Sequence, residues 1–214
     1  MKLKICGMKY NTLEVAVLQP DYLGFIFYSK SPRDFEGLEI PSIPVGIKKV
    51  GVFVDAEYAF AKACIEKYKL DVVQLHGNES PEYIVALKEK LTTKDVQWWK
   101  VFGIKDTFDF EKLTSYKGLV DAFLFDTKGK EKGGNGYTFD WRVLGNYTSK
   151  TPIILSGGIG LEELEKIKVI FATDLPIMAL DVNSRFEVEP GLKDIEKLEK
   201  FKEAIAEISS LRSY

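Results

Sequence analysis

Histidine occurs once in this 214-residue chain, at His76, and cysteine twice, at Cys6 and Cys64. Two thiols that far apart make no metal-binding spacing and no disulfide framework, and one imidazole gives no histidine-based metal site. A metal-free protein is the expectation. Excess charge is missing as well: 30 Lys and Arg face 32 Asp and Glu, a formal net charge of −2 with a pI near 5.7. That balance offers no electrostatic case for nucleic acid or for an anionic membrane surface. No run approaches the ~18 apolar residues that a membrane-spanning helix needs. The N-terminus, MKLKICGM, shows no apolar signal segment with a cleavage site, so a cytoplasmic location is expected. What remains is a chain 45% hydrophobic and 29% charged, the balance of a soluble globular protein. Its length suits one well-buried core, and a single domain over 1–214 is expected.

The organising stretch is Thr151 to Asp194, which reads as two consecutive strand–loop–helix units. Pro152–Leu155 is a short apolar run that breaks into Ser156-Gly157-Gly158 and then into a helical pattern over Leu161–Val169. Pro176–Val182 is a second run, breaking into Asn183-Ser184-Arg185. Ser184 and Glu187 stand in capping-box spacing, predicting a short helix that Pro190-Gly191 ends. Two such turns at neighbouring strand ends form a cup of free N–H groups, apt for a phosphate dianion.

Six further apolar runs precede these. They are Lys2–Cys6, Tyr22–Tyr28, Lys49–Val54, Asp71–Leu75, Val96–Phe102 and Leu119–Phe125, the last stopping at Asp126. Between them lie a helix started by Asn11 and Glu14 and ending near Leu18, and a polar loop Ser29–Asp34 followed by a poorly patterned stretch. Helices follow over Ala56–Tyr68 and from Ser80-Pro81 to about Leu91, then short ones around Phe108–Tyr116 and Phe139–Leu144. A glycine-bearing loop covers 127–136, and the closing helix is Asp194–Leu211. Eight strands alternating with helices predict a parallel sheet, and eight units favour a closed (β/α)8 TIM barrel over an open sheet. Spread over 214 residues, eight units leave about 27 each, so the barrel is compact and its second, fifth and sixth helices are trimmed. An open sheet would carry G-x-G-x-x-G at its first turn, where this chain has Cys6-Gly7-Met8-Lys9.

In such a barrel the C-terminal ends of the strands share one face. Those positions hold Cys6, Arg33, His76, Asp126, Gly157-Gly158, and Asp181 with Ser184. A thiol, a carboxylic acid, a guanidinium and a phosphate cup suit proton transfers on a phosphorylated small molecule that carries a second anionic group. Cys64, on an apolar helix face, reads as core; Trp98 and Trp99 read as strand packing; Lys128, Lys130 and Lys132 read as a solvated loop.

The stretches KICGM (4–8), GFIFYSKSPR (24–33), VGVFV (50–54), VQLHGNE (73–79), LFDTK (124–128), GGNGYTFDW (133–141), LSGGI (155–159) and DVNSRFEVEPGLKD (181–194) run in order over nearly the whole chain. Together they resemble the phosphoribosylanthranilate isomerases of the tryptophan pathway. That resemblance implies a cofactor-free Amadori rearrangement of N-(5-phosphoribosyl)anthranilate to 1-(2-carboxyphenylamino)-1-deoxyribulose 5-phosphate. It implies that Cys6 is the general base at C2′ and Asp126 the general acid at the furanose oxygen. Arg33 then holds the anthranilate carboxylate, and Gly157, Gly158 and the Asn183, Ser184 and Arg185 backbone hold the phosphate. Asp181 bonds the ribose or a loop, and His76 lines the pocket. A free thiol has a pKa near about 8.5, so Cys6 needs activation, expected from a nearby helix terminus and Arg33. Arg185 stands where many relatives have Gly. It is either strained at positive φ or an added charge-assisted phosphate contact, and the second is expected. A histidine-pathway phosphoribosyl isomerase is the nearest rival, disfavoured by Cys6 and by the missing internal repeat. A non-catalytic phospho-ligand barrel is disfavoured by Cys6 and Asp126 together. A monomer and a homodimer are both compatible with the sequence.

Overall fold

Strand β1 (Lys2–Cys6) pairs in parallel with β2 (Tyr22–Phe27) on one side and with β8 (Ile177–Val182) on the other, which closes the sheet. Between them β3 (Lys48–Phe53), β4 (Val72–Leu75), β5 (Gln97–Ile104), β6 (Ala122–Thr127) and β7 (Ile153–Leu155) follow in chain order, each parallel to its neighbours. The fold, taken from a computed structural model describing residues 1–92, 95–127 and 138–210, is thus the expected (β/α)8 barrel.

The strands read as nearly continuous apolar runs because both of their faces are covered. Alternate side chains point inward and outward. Tyr22, Val50, Val52, Trp99, Val101, Leu124 and Ile154 fill the barrel, while Phe25, Phe53, Val73, Trp98, Phe123 and Leu155 pack outward beneath the helical shell. Adjacent Trp98 and Trp99 therefore belong to different layers. Trp99 meets Tyr22 edge-on inside the barrel, with ring centroids 4.9 Å apart. Both are packing residues, and Cys64 is core as expected.

The shell comprises α1 (Thr12–Val17), α2 (Tyr58–Tyr68), α3 (Pro81–Lys90), α4 (Leu164–Phe171) and α5 (Ile195–Ser210). Helix α3 starts where Ser80 and Pro81 predict, the Ser80 hydroxyl accepting from the Tyr83 N–H at 3.3 Å. The trimmed positions are the expected ones. No helix lies between β2 and β3, and among the described residues single 3-10 segments, Phe110–Tyr116 and Trp141–Asn146, follow β5 and β6. Among the described residues no helix is long and apolar enough to cross a membrane.

Three local expectations are corrected. Strand β6 begins at Ala122 rather than Leu119 and runs through Asp126 to Thr127, because those two residues pair with Gly103 and Ile104 of β5. Asn11 does not cap α1 with its side chain; its amide donates to the Lys193 carbonyl and accepts from the Lys193 N–H, both at 2.9 Å, stitching the two chain ends together. Ser184 and Glu187 form no capping box. Ser184–Phe186 is one 3-10 turn preceded by Asn183. Glu187 opens β9 (Glu187–Glu189), antiparallel to β10 (Leu192–Lys193), since its carboxylate is drawn to Arg33, Lys193 and the Gly191 N–H instead. Of the loop read over 127–136, Thr127 ends β6 and the remainder lies outside the described residues, as do Lys128, Lys130 and Lys132.

Candidate active site

One cleft at the C-terminal ends of the strands is lined by Cys6, Arg33, His76, Asp126, Gly157, Gly158, Asp181, Asn183, Ser184 and Arg185. All ten residues singled out from the sequence are brought together there. Strand alternation explains the company they keep: Lys4 shares a face with Cys6, Gln74 with His76, and Leu124 with Asp126. A larger cavity, about 1250 Å³, lies on the outer wall between Trp141–Asn146 and α4. It is walled by Phe139, Trp141, Tyr147 and Ile170 and holds neither a thiol nor a strand-end carboxylate. Chemistry, not size, marks the reactive site.

On the β1 side, the Lys4 ammonium is 0% exposed and donates to Asp181 Oδ1 at 2.8 Å, while Ser156 Oγ donates to Asp181 Oδ2 at 3.3 Å. Gly24 faces this group without a side chain; a Cβ there would lie 2.9 Å from Cys6 Sγ and 3.2 Å from Lys4 Cε. Burial opposes the Lys4 charge, but Asp181 and then Cys6 more than offset it, and the ammonium is held above its ordinary range. Burial likewise pushes the Asp181 carboxyl up against the pull of Lys4. The Cys6 thiol is also raised, by burial first and with the help of Asp181, only partly opposed by Lys4 and then Lys193. The expected activators of Cys6 are therefore corrected. The cations that favour its thiolate are Lys4 and Lys193, not a helix terminus and Arg33.

Arg33 is engaged elsewhere. Its Nε and Nη2 donate to the Glu187 carboxylate at 2.5–3.0 Å. Burial would raise that carboxyl, yet Arg33 and Lys193 together bring it below the usual range. Lys193 donates to Glu187 Oε1 and to Asn183 Oδ1, each at 2.7 Å, and burial lowers its pKa to about 8 in spite of Glu187. Nη1 of Arg33 makes no hydrogen bond among the described residues.

Opposite, Asp126 is 5% exposed; its Oδ1 accepts from the Thr127 N–H at 2.9 Å, and His76 Nε2 lies 3.2 Å from its Oδ2. His76 thus lines the pocket, as expected, and stands directly beside this carboxyl. Gly157 presses close on the other side, where a Cβ would meet Asp126 Oδ1 and the Thr127 N–H at 2.5 Å. Gly157 and Gly158 also adopt φ of +87° and +70°, conformations that side chains rarely tolerate. The turn after β7 therefore needs glycine for both space and backbone shape.

The N–H groups of Gly157, Gly158 and Ser184 make no hydrogen bond among the described residues, so they are free to bind an anion. Arg185 is not in the positive-φ region, which removes the question of strain. Its side chain is 38% exposed, and its Nη2 lies 3.5 Å from Glu162 Oε2. Among the described residues no three His, Cys, Asp or Glu side chains cluster as a metal site would require.

Lys4, Gln74, Ser156, Glu187 and Lys193 were not singled out from the sequence. For Lys4 and Gln74 a signal exists: each sits two positions before a nominated residue on a strand, hence on the same face. Glu187 carries no local signal, because its partner Arg33 is 154 positions away in the chain, and Lys193, six positions from Glu187, shares no strand or helix period with it.

A family profile described as N-(5′-phosphoribosyl)anthranilate isomerase matches residues 3–204. An enzyme of that name from Parabacteroides distasonis is 43% identical over 208 residues, covering 94% of this chain and 91% of its own. The crystal structure of a phosphoribosyl anthranilate isomerase from Thermus thermophilus is similar with a TM-score of 0.79 at 27% identity, covering 97% of this chain and 100% of that one. Another, in complex with reduced 1-(o-carboxyphenylamino)-1-deoxyribulose 5-phosphate, is similar with a TM-score of 0.73 at 27% identity, covering 94% of this chain and 96% of that one.

Proposed function

This chain belongs to the N-(5′-phosphoribosyl)anthranilate isomerase family, and on that premise we propose that Cys6 and Asp126 divide the proton transfers of its reaction. The reaction is the Amadori rearrangement of N-(5-phosphoribosyl)anthranilate in tryptophan biosynthesis. The observation that carries the division of labour is the single cleft in which a buried thiol and a buried carboxyl face the free amides of two glycine turns.

Asp126 delivers a proton to the furanose oxygen, the C1′–O bond opens, and the nitrogen lone pair forms an iminium. Cys6 takes the C2′ proton, leaving an enolamine that tautomerises to the aminoketose. The order explains how a thiol raised by burial serves as a base. Ring opening places a positive charge above Cys6, which adds to Lys4 and Lys193 in favouring the thiolate when it is needed. Nη1 of Arg33 receives the anthranilate carboxylate. Gly157, Gly158 and the Asn183–Arg185 backbone receive the phosphate, with Arg185 adding charge. Asp181 acts through Lys4 rather than on the ribose. The chain works as one barrel domain on a phosphorylated small molecule in the cytoplasm, without a cofactor, as a monomer or a homodimer.

Lys4 provides the test of this electrostatic scheme. Removing its charge withdraws a group that favours the thiolate, so the Cys6 pKa rises further. The thiolate fraction then falls tenfold for each unit of pH by which the limb moves. The acidic limb of kcat/KM is therefore expected to move to higher pH in Lys4→Met, with the deficit largest at low pH and shrinking as pH rises. The double variant Lys4→Met, Asp181→Asn also removes a carboxylate that disfavours the thiolate, so it serves as the folding control while the limb is read in Lys4→Met. Loss of anthranilate fluorescence reads turnover, and the iodoacetamide alkylation rate in a Cys64→Ala background reads the thiolate directly. An unmoved limb in both assays rules out Lys4 as the activator.

A further inference from the structure

Gln74 lies on β4, paired in register with Val52 and Trp99, and leaves the strand on the same face as His76. It is 1% exposed, yet it lines the cleft with Cys6 and Asp126. Its Oε1 is one of two buried side-chain atoms without a hydrogen-bond partner among the described residues, and the other, on Trp141, is on the outer wall. Burying an unpaired carbonyl oxygen is destabilising, and an apolar side chain of the same length would fit the neighbouring Ile26 and Val52 better. A barrel that keeps such an acceptor at the floor of its reactive cleft keeps it for a donor that arrives from outside.

The chemistry of the substrate identifies that donor. Its two ends are anions, a phosphate and a carboxylate, and both repel a carbonyl oxygen. The phosphate turns follow β7 and β8, whereas β4 stands across the barrel from β8. From there Gln74 meets the reacting middle of the molecule rather than the phosphate. The donors there are the bridging N–H and the ribose hydroxyls. Of these only the N–H becomes positively charged when the ring opens, which makes it the one that an acceptor would favour in the transition state. We propose that Gln74 is a substrate-contacting residue whose Oε1 accepts a hydrogen bond from this bridging N–H, most strongly in the iminium. This rests on the roles assigned above to Cys6 and Asp126.

A bond that strengthens on the way to the transition state appears in kcat more than in KM. In Gln74→Met, kcat is expected to fall about 10- to 100-fold, the range of a hydrogen bond to a charged group. Melting temperature should hold or rise by a few degrees, about 2–4 °C for a chain of this size. Binding of inorganic phosphate should be unchanged. The reduced product amine should bind wild type more tightly than its N-methyl counterpart, and Gln74→Met should lose that preference. Undiminished kcat, or an unchanged preference, overturns the proposal. A fall in kcat accompanied by a lower melting temperature and weaker phosphate binding also overturns it, since Gln74 is then structural. Wild-type turnover in Cys6→Ser or Asp126→Asn defeats the underlying reading instead, whatever Gln74→Met does.

Discussion

Cys6→Ser is expected to fold, to bind phosphate-bearing ligands, and to turn over at least about 1000-fold more slowly than wild type, within the range for loss of a general base. Serine keeps the shape: Sγ is buried against Gly24 and beside Lys4, and a hydroxyl fits the same space. What it lacks is an accessible anion. A thiol, even one raised by burial, ionises far more readily than an alcohol. Lys4, Lys193 and a passing iminium can bring the first into use, but not the second. Steady-state loss of anthranilate fluorescence at saturating substrate measures the effect. Wild-type turnover in this variant removes Cys6 from the mechanism. Because Cys64 lies in the outer core, Cys64→Ala is the matching control and leaves kcat intact.

Asp126→Asn carries the second large effect, a loss of about 100- to 10,000-fold in both kcat and kcat/KM. The substitution is nearly isosteric. An asparagine oxygen can still accept from the Thr127 N–H, and its amide nitrogen takes the place of Oδ2 beside His76. Binding of the reduced product analogue should persist, because the groups proposed to hold its phosphate and carboxylate, the turns after β7 and β8 and Arg33, are other than Asp126. Only the proton for the ring oxygen is gone. If the variant kept its rate, the acid would have to be another group, and His76, 3.2 Å away, would be the first to examine.

The two effects differ in how their context could be read from sequence. That Cys6 and Asp126 end up in one cleft follows from the strand pattern, since the eight apolar runs place both at strand C-termini. The trimmed second helix was legible too, because the residues after Ser29–Asp34 show no apolar period. The network around Cys6 was not. Lys4 looks like the polar half of an edge-strand alternation, and only closure of β1 against β8 turns that position inward and supplies Asp181 as its partner. Nothing in the sequence around Arg33 names a protein partner for it, but the hairpin β9–β10 folds back and presents Glu187 to it. The capping-box reading of Ser184 and Glu187 failed for the same reason. Several charge-assisted bonds to one nearly buried carboxylate, from Arg33 and Lys193, outweigh a local cap of about 1 kcal/mol.

By itself, the order of residues determined the eight strands of the barrel, their parallel alternation with helices, the glycine turn after β7, and the identities of the thiol and the carboxyl. These are set by local patterns: period, turn chemistry and side-chain type. Only the closed barrel decided which charges stand beside which. A buried ion pair depends on two strands meeting in a particular register, and Lys4 with Asp181, or Arg33 with Glu187, join residues 177 and 154 positions apart. Nothing within a few residues of either partner records the other. The cost of burying a charge, which makes such pairs matter, exists only once the chain has folded around them.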